Sequence, residues 1–311
     1  MAPFEHLPVM SEDVLHWLQP VAGGIYLDGT LGGAGHSRLI LETTVDSRLI
    51  GLDRDPAALQ EAGKILSSYG DRVSLHHANF DQAGQILQQL DIDGLDGMLL
   101  DLGVSSHQLD TPERGFSFRN DAPLDMRMNP TTGITAAAVV NQADEAELVR
   151  IFFDYGEERY SRRIARKIVA QRLESPLTKT GELAELVRQV IPGGRRPSRI
   201  HPATRVFQAL RIHVNDELEQ VRRGVETGIS LLKPGGRFVV ISFHSLEDRI
   251  VKHSFREQSR GCICPPRLPV CQCHHTPNVK LLTRKGIKAG EVEVVQNVRS
   301  RSAILRAVER C

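Results

Sequence analysis

The sequence predicts an α/β protein built on one parallel sheet, with a helical segment inserted before the sheet is complete. Short apolar segments alternate with helical ones over the first hundred residues, which is typical of βαβ units. This alternation stops after Gly103, and strand-like residues return only at Arg237. Of the 311 residues, 41% are apolar and 25% are charged, which indicates a folded protein of one or two domains.

Four strands and three helices are predicted before Gly103. The strands are short apolar runs that cover residues 24–28, 49–53, 72–78 and 95–101. The helices between them cover residues 38–42, 56–66 and 86–90. Strands joined by crossover helices run parallel. Their carboxyl ends therefore meet at one edge of the sheet, where ligands bind in folds of this kind.

The middle of the chain has a different pattern. Residues 104–135 contain three prolines and are interpreted as loop, whereas the pattern over 145–190 is helical only. Residues 201–232 carry apolar side chains three or four positions apart. That spacing predicts one long amphipathic helix or two nearly collinear helices.

The last third of the chain returns to the strand pattern. Three further strands are predicted at residues 237–242, 279–282 and 303–308. The simplest architecture is one discontinuous α/β domain, formed by residues 1–103 and 213–311, which is interrupted by a helical domain at 104–212.

A glycine-rich turn joins the first strand to the first helix. Three glycines fall within residues 32–35, so the backbone can approach a ligand closely. A dinucleotide fingerprint would need another glycine where Arg38 stands, and there is no Gly-Lys-Ser/Thr phosphate loop. Asp28 precedes the turn and Asp53 ends the second strand, where a carboxylate binds ribose hydroxyls or only caps the strand. The acidic pair suits S-adenosylmethionine, which brings a ribose and a cationic amino-acid end but no phosphate.

Two further strand ends suit the same ligand. Phe80 follows the third strand and is a candidate to pack against adenine, although a single phenylalanine is more often part of a core. Asp101 ends the fourth strand, where a sheet of this type meets the reacting atom of the substrate.

Seven blocks of the sequence resemble the bacterial 16S rRNA (cytosine-N4)-methyltransferase family. They are residues 28–37, 99–106, 113–118, 124–128, 155–159, 201–205 and 241–249. The resemblance runs from His6 to about Glu309 and implies a Rossmann-like class I S-adenosylmethionine methyltransferase sheet with an inserted all-helical domain for substrate recognition. The implied activity is methylation of the exocyclic N4 amine of a cytidine in the decoding region of 16S rRNA.

The resemblance also implies site residues and a partner. The expected cofactor-binding residues, including those of the glycine turn, are Gly33, Ala34, Gly35, His36, Asp53, Phe80, Asp101 and Gln108. Ala34 stands where many members of the family have glycine. The expected partner is 16S rRNA in the small ribosomal subunit or in a late assembly intermediate, with no DNA and no membrane.

The catalytic assignment stays open at this stage. The cytosine amine needs its lone pair aimed at the methyl group, so positioning supplies much of the catalysis. An acceptor for the amine proton is expected near the end of the fourth strand. The candidates are Asp101, Ser105, Ser106 and His244.

Substrate-binding residues are predicted in the inserted segment. Phe116 and Phe118 are candidates to stack on an unpaired base, although at least one of them is expected to pack the loop. Residues 156–213 contain 13 Arg+Lys and five Glu, a local balance of 13 − 5 = +8 that favours phosphate contacts. The predicted substrate-binding set is Arg114, Phe116, Arg195, Arg196 and Arg199.

Four of the five cysteines lie close together near the C-terminus. The pairs are Cys262-x-Cys264 and Cys271-x-Cys273, followed by two histidines, His274 and His275. Zinc motifs more often use Cys-x-x-Cys, so the spacing favours no metal.

Two other functions compete with the methyltransferase, and the location follows from what the sequence lacks. A nicotinamide-dependent dehydrogenase is disfavoured by Arg38, and a non-catalytic RNA-binding assembly factor is disfavoured by the intact acidic strand ends. The N-terminal residues carry acidic side chains and no apolar signal core, and no apolar run approaches the ~20 residues of a membrane span. The sequence therefore predicts a cytoplasmic protein.

Overall fold

The computed structural model describes residues 8–192, 201–264, 272–273 and 275–311. The chain forms two compact units, one of Met1–Gly103 with Leu218–Cys311 and one of Val104–Glu217. The sequence predicts boundaries after residues 103 and 212, whereas the second unit ends at Glu217. No helix in the described part of the chain combines the length and the apolar composition that a membrane span requires.

The elements follow one another along the chain as strands and helices. The strands are β1 (Ile25–Asp28), β2 (Arg48–Asp53), β3 (Val73–His77), β4 (Leu95–Asp101), β5 (Leu232–Ser242), β6 (Val279–Leu281), β7 (Ile287–Lys288) and β8 (Ile304–Arg310). The helices are α1 (Ser11–Leu18), α2 (Gly35–Thr43), α3 (Pro56–Ile65), α4 (Ala83–Gln89), α5 (Ser106–Asp110), α6 (Ala136–Gln142), α7 (Glu145–Arg150), α8 (Ser161–Glu174), α9 (Thr180–Val190), α10 (Thr204–Asn215), α11 (Glu217–Leu231), α12 (Ser245–Gln258) and α13 (Glu291–Gln296).

The sheet has the order β3-β2-β1-β4-β5-β8-β6, and β7 pairs with β8. Strands β1 to β5 run parallel, whereas β8 is antiparallel to β5, β6 and β7. Strand β1 lies between β2 and β4, so the chain reverses its direction of travel across the sheet at this point. A crevice that suits a ligand opens at such a reversal. The predicted class I methyltransferase sheet is confirmed.

The sheet is buried on both faces, as parallel sheets are. Alternate residues of β4 show this, because Met98 and Leu100 belong to one apolar core and Leu99 to the other. Helices α4, α11 and α12 cover the first core, and α1, α2 and α3 cover the second. The strict alternation explains why the strands are readable as short apolar runs.

Strand β5 is longer than the sequence predicts. Leu232 pairs with Leu95 and Arg237 pairs with Gly97, so the residues between Leu232 and Arg237 bulge out of the ladder. Gly235 has φ 82°, which glycine adopts without strain. The Pro-Gly-Gly sequence at residues 234–236 therefore marks a bulge within the strand and lies beyond the end of α11 at Leu231.

The helical unit has its own apolar core, which α6 to α10 surround. The helical prediction for 145–190 agrees with α7, α8 and α9. Residues 104–135 are less irregular than predicted, because Ser105 and Gln108 form a capping box that starts α5. Over 201–232 the chain forms two helices, which are separated at Asp216 with φ 51°. Aspartate tolerates this left-handed conformation better than most residues do.

Candidate active site

The glycine-rich turn between β1 and α2 is fastened to both neighbouring strands. The backbone N–H of Gly29 donates to the carbonyl of Leu99 in β4 at 3.0 Å. The backbone N–H of Leu31 donates to Leu52 in β2, also at 3.0 Å. A Cβ added at Gly33 would meet no atom within 4 Å, so the space above this part of the turn is open. The turn is therefore held in place while it leaves room for a ligand.

Ala34 ends the turn in an unusual conformation. Its φ of 56° and ψ of 20° lie in the left-handed region, which glycine adopts freely and alanine adopts at a cost of roughly 1–2 kcal/mol. The methyl group is fully buried in the core between the sheet and α2. Its burial offsets part of that cost, so alanine at this position is compatible with the fold.

Asp28 holds the turn from inside. Its carboxylate accepts hydrogen bonds from the backbone N–H of Thr30 at 3.1 Å and from the hydroxyl of Ser37 at 2.7 Å. The side chain is 1% exposed, and burial raises the pKa of its carboxyl group. At 1% exposure the carboxylate is out of reach of a ligand, so Asp28 holds the turn in position.

Asp53 at the end of β2 has a different environment. Its Oδ2 accepts from the backbone N–H of Gly32 at 2.8 Å and its Oδ1 accepts from the backbone N–H of Asp55 at 2.8 Å. A carboxylate oxygen accepts more than one hydrogen bond, so each oxygen keeps capacity for a ligand. Burial raises the pKa of Asp53 to about 6. The residue both anchors the turn and presents acceptors at the ligand edge of the sheet.

Phe80 lies just beyond β3 and is 8% exposed. Two glycines make room for its side chain. A Cβ at Gly29 would lie 2.8 Å from Cβ of Phe80, and a Cβ at Gly224 in α11 would lie 2.5 Å from Cε2 of its ring. The ring position therefore depends on a glycine that is far away in the sequence.

Replacing Gly224 with alanine is expected to push the ring of Phe80 out of its place. The strain should lower the free energy of unfolding by about 1–3 kcal/mol. The control is Gly63→Ala in α3, where the nearest atom to the new Cβ lies 3.8 Å away. That change should stabilise the protein by roughly 0.5–1 kcal/mol, since alanine favours a helix. Chemical denaturation measures both, and equal effects would show that Gly224 does not control the ring.

Asp101 at the end of β4 lies beside His36 at the start of α2. Oδ2 of Asp101 is 3.7 Å from Nε2 of His36, too far for a direct hydrogen bond. Oδ1 of Asp101 and both ring nitrogens of His36 are buried without a hydrogen-bond partner in the described part of the chain. Such groups cost about 1–3 kcal/mol each until they are paired. They fit a polar ligand such as a cationic amino-acid group.

The sequence pattern does not predict the roles of Thr30 and Gly224 at this site. The Oγ1 of Thr30 accepts from the backbone N–H of Asp101 at 2.6 Å and so joins the turn to the end of β4. A threonine in a turn carries no local signal of such a contact. Gly224 carries a weak one, since glycine inside an amphipathic helix lowers helix stability and often has a packing reason.

His244 begins α12. Its Nδ1 accepts from the backbone N–H of Glu247 at 3.4 Å, and its Nε2 lies 3.0 Å from Oε1 of Glu247. Glu247 is 1% exposed and accepts in turn from the backbone N–H of Phe243. These contacts are those of a helix cap. The catalytic role of His244 stays a prediction from the sequence.

The other predicted site residues belong to the helical unit. Ser105 and Gln108 bond reciprocally, with Oε1 of Gln108 accepting from the backbone N–H of Ser105 at 3.1 Å. Ser106 is the first residue of α5. Arg114 donates to the carbonyls of Arg127 and Met128, and its guanidinium lies 5.9 Å from the ring centre of Phe116. Phe116 is 8% exposed, which leaves little of its ring for a base. Its RNA role, like that of Arg114, stays a prediction. The remaining predicted residues, Arg195, Arg196 and Arg199, lie outside the described residues.

Comparisons with known proteins identify the family of this chain. The model of the MraW methylase family matches residues 3–311. The ribosomal RNA small subunit methyltransferase H of Syntrophotalea carbinolica is 61% identical over 99% of this chain and 98% of its own length. Proteins of the same name from Geobacter sulfurreducens and Heliobacterium modesticaldum are 56% and 53% identical, each over 99% of both chains. The chain therefore belongs to the MraW methylase family, and its cofactor is S-adenosylmethionine.

Proposed function

We propose that the protein methylates the exocyclic N4 amine of a cytidine in the decoding region of 16S rRNA. The relatives named as small-subunit rRNA methyltransferases support an rRNA substrate. The seven sequence blocks support the cytidine amine. The observation that carries the proposal is the group of polar residues at the ends of β2 and β4, with its unpartnered buried atoms. The site of action that fits this substrate is the cytoplasm, on the small ribosomal subunit or a late assembly intermediate.

In this proposal, different residues of the α/β unit bind different parts of the cofactor. Asp53 accepts hydrogen bonds from the ribose hydroxyls, because both of its oxygens keep acceptor capacity. The open backbone at Gly33, together with Ala34 and Gly35, lies against the cofactor. Asp101 and His36 face its amino-acid end, where a carboxylate balances an ammonium group. Phe80 closes the apolar side, and the role of Gln108 in cofactor binding stays a prediction from the sequence.

Catalysis rests on positioning and on the removal of one proton. Bound S-adenosylmethionine supplies the methyl group on a sulfonium, which needs no further activation. The protein has to aim the cytosine amine at that group and exclude water. Cytosine presents its amine as a donor, which an acidic acceptor recognises. Asp101 is already assigned to the amino-acid end of the cofactor, and one side chain does not easily serve both groups. The group that orients the amine and accepts its proton therefore stays open among Ser105, Ser106 and His244.

The helical unit is the proposed substrate-recognition domain. Its described surface carries exposed cations on α8, and the sequence adds three arginines outside the described residues. An RNA substrate requires such a surface, since phosphate contacts dominate affinity. The base itself has to be unstacked, because a paired amine is inaccessible.

The function is tested on RNA of defined methylation state. Small ribosomal subunits from cells that lack the protein are incubated with the purified enzyme and S-adenosylmethionine, and the rRNA is digested to nucleosides. Mass spectrometry is expected to show N4-methylcytidine, which chromatography separates from 5-methylcytidine. Methylation of a different atom, or of no atom in 16S rRNA, would refute the proposal.

A thermal-shift comparison separates the remaining functions. S-adenosylmethionine should raise the melting temperature, whereas NAD and NADP should leave it unchanged. Stabilisation by a nicotinamide cofactor would favour a dehydrogenase. Binding of RNA without any methyl transfer would favour an assembly factor.

A further inference from the structure

The segment between α12 and β6 forms a loop that is closed at its base. The backbone N–H of Asn278 donates to the carbonyl of Gln258 at 2.8 Å, and the side-chain amides of the two residues bond at 2.6 Å. Residues 259–277 contain cysteines and histidines but no Asp or Glu. The strong metal donors of this loop are therefore sulfur and imidazole.

Three cysteine sulfurs converge in this loop. The Sγ atoms of Cys262, Cys264 and Cys273 all lie within 4.8 Å of one another. The Sγ atoms of Cys262 and Cys273 are 3.8 Å apart, which is far longer than a disulfide of about 2.05 Å. Tetrahedral zinc binds each sulfur at about 2.3 Å, so two of its thiolate ligands are separated by about 3.8 Å. The separation between the Sγ atoms of Cys262 and Cys273 is therefore the one that a shared zinc ion requires.

Backbone N–H groups point at two of these sulfurs. The N–H of Ile263 donates to Sγ of Cys273 at 3.5 Å, and the N–H of Gln272 donates to Sγ of Cys264 at 3.4 Å. The donors are reciprocal, since each comes from the segment that carries the opposite cysteine. Hydrogen bonds of this kind hold the two sulfurs in place and can orient them toward a shared metal ion.

We propose that Cys262, Cys264 and Cys273 bind a structural Zn²⁺ ion as thiolates. Thiolate donors select zinc over magnesium or calcium, which prefer oxygen. A fourth donor beyond these three completes the tetrahedron. The Cys-x-Cys spacing argues against zinc when the sequence is taken alone, but the fold brings Cys262 and Cys264 close to Cys273. The ion links the two ends of the loop and restricts the chain between them, which stabilises the folded loop.

The test measures metal content and not activity. The full-length chain is reduced, supplied with Zn²⁺, passed through a desalting column and analysed by elemental mass spectrometry. We expect about one zinc per chain, as a single tetrahedral site holds. Cys264→Ser and Cys273→Ser should each lower zinc affinity by at least about 100-fold in competition with a chromogenic chelator, since loss of a supporting group alone costs up to that much.

Cys311→Ser is the matched control, since Cys311 is an exposed cysteine at the end of the chain. It should retain the full zinc content. Thermal shift with S-adenosylmethionine confirms that each variant is folded. Zinc content that is equal in all variants would overturn the proposal. Peptide mapping that recovers Cys262 joined to Cys273 by a disulfide in protein without zinc would also overturn it and favour a redox pair.

Discussion

Replacing Asp53 with alanine is expected to weaken the binding of S-adenosylmethionine about five- to 150-fold. The change removes the proposed charge-assisted hydrogen bonds to the ribose, which are worth about 1–3 kcal/mol. It also removes the acceptor for the backbone N–H of Gly32, so the turn loses one of its anchors. Isothermal titration calorimetry on the folded variant measures the effect. Unchanged affinity would exclude Asp53 from the site.

The raised pKa of Asp53 predicts that the affinity for S-adenosylmethionine depends on pH. Burial raises that pKa to about 6. If the ionised form accepts the ribose hydrogen bonds, the competent fraction falls from about nine-tenths at pH 7 to about one-tenth at pH 5, and the dissociation constant rises about tenfold. Asp53→Asn should bind more weakly at pH 7 and lose most of this pH dependence, because the amide does not titrate. Asp71→Asn, which changes an exposed carboxylate, should behave like the parent protein.

Acidification should raise the contribution of Asp53 to protein stability, although it weakens cofactor binding. The pKa of Asp53 is higher in the folded state than the ordinary value near 3.9, so the folded protein binds more protons between pH 4 and pH 6. The contribution of Asp53 to the free energy of unfolding is therefore fully present below pH 4 and is lost as the pH rises through 6. Acidification from pH 7 to pH 5 should raise this contribution while it weakens cofactor binding. If acidification from pH 7 to pH 5 lowered both the contribution of Asp53 to stability and the affinity for S-adenosylmethionine, another group would control the affinity.

The parts of the site that the sequence predicts are those that local pattern controls. The parallel strands alternate between two cores, so their ends are readable, and Asp53 and Asp101 are found at those ends. Gly224 is different, because its role depends on Phe80, which is 144 positions earlier and comes close only after the sheet has formed.

The spacing of apolar residues leaves open one helix or two over residues 201–232, and it could not place a break at Asp216. Apolar side chains continue at helical spacing on both sides of it, as the buried positions Leu210 and Val221 show. The break is made by one backbone conformation at a residue type that merely tolerates it. The approach of Cys273 to Cys262 and Cys264 could not be predicted for a related reason, since a motif describes only neighbours in the sequence.

The second large effect is expected on RNA binding by the helical unit. Several of the cations that give residues 156–213 a balance of +8 have structural tasks. Arg172 donates to the carbonyls of Val140 and Ala143, Arg205 donates to that of Glu157, and Arg211 pairs with Glu217 at 2.8 Å. These side chains are engaged by the protein itself. The cations that remain for phosphates are concentrated on α8.

The exposed side of α8 carries four cations, which are Arg162, Arg163, Arg166 and Lys167. The opposite side, with Ile164, Ala165 and Ile168, is fully buried in the core of the helical unit. The helix is therefore fixed by its apolar side, and its charges project away from the core. A row of cations on a fixed helix can follow a phosphate backbone without paying the entropy of ordering a loop.

Replacing Arg162, Arg163 and Lys167 together with alanine is expected to weaken RNA binding and to reduce its dependence on salt. Each lost phosphate contact lowers the log–log slope by about 0.7–0.9, so three contacts lower it by about two to three and weaken binding about a hundredfold at 0.1 M salt. Affinity for S-adenosylmethionine should be unchanged, because the proposed cofactor residues lie mainly in the α/β unit. Filter binding of small subunits or 16S rRNA fragments over a range of salt concentrations measures both quantities.

The control for this variant removes the same charge from places where it is already neutralised. Lys64, Arg188 and Arg222 each pair with a glutamate three positions earlier, at 2.9 Å, 2.7 Å and 3.3 Å. Their joint replacement by alanine changes the net charge of the protein equally but removes cations that are already paired on the surface, so the salt slope should change little. If both triple variants lose the same slope, RNA responds to the overall charge of the protein. If only the α8 variant loses it, the phosphates contact the exposed side of α8, and the helical unit recognises the substrate through that side.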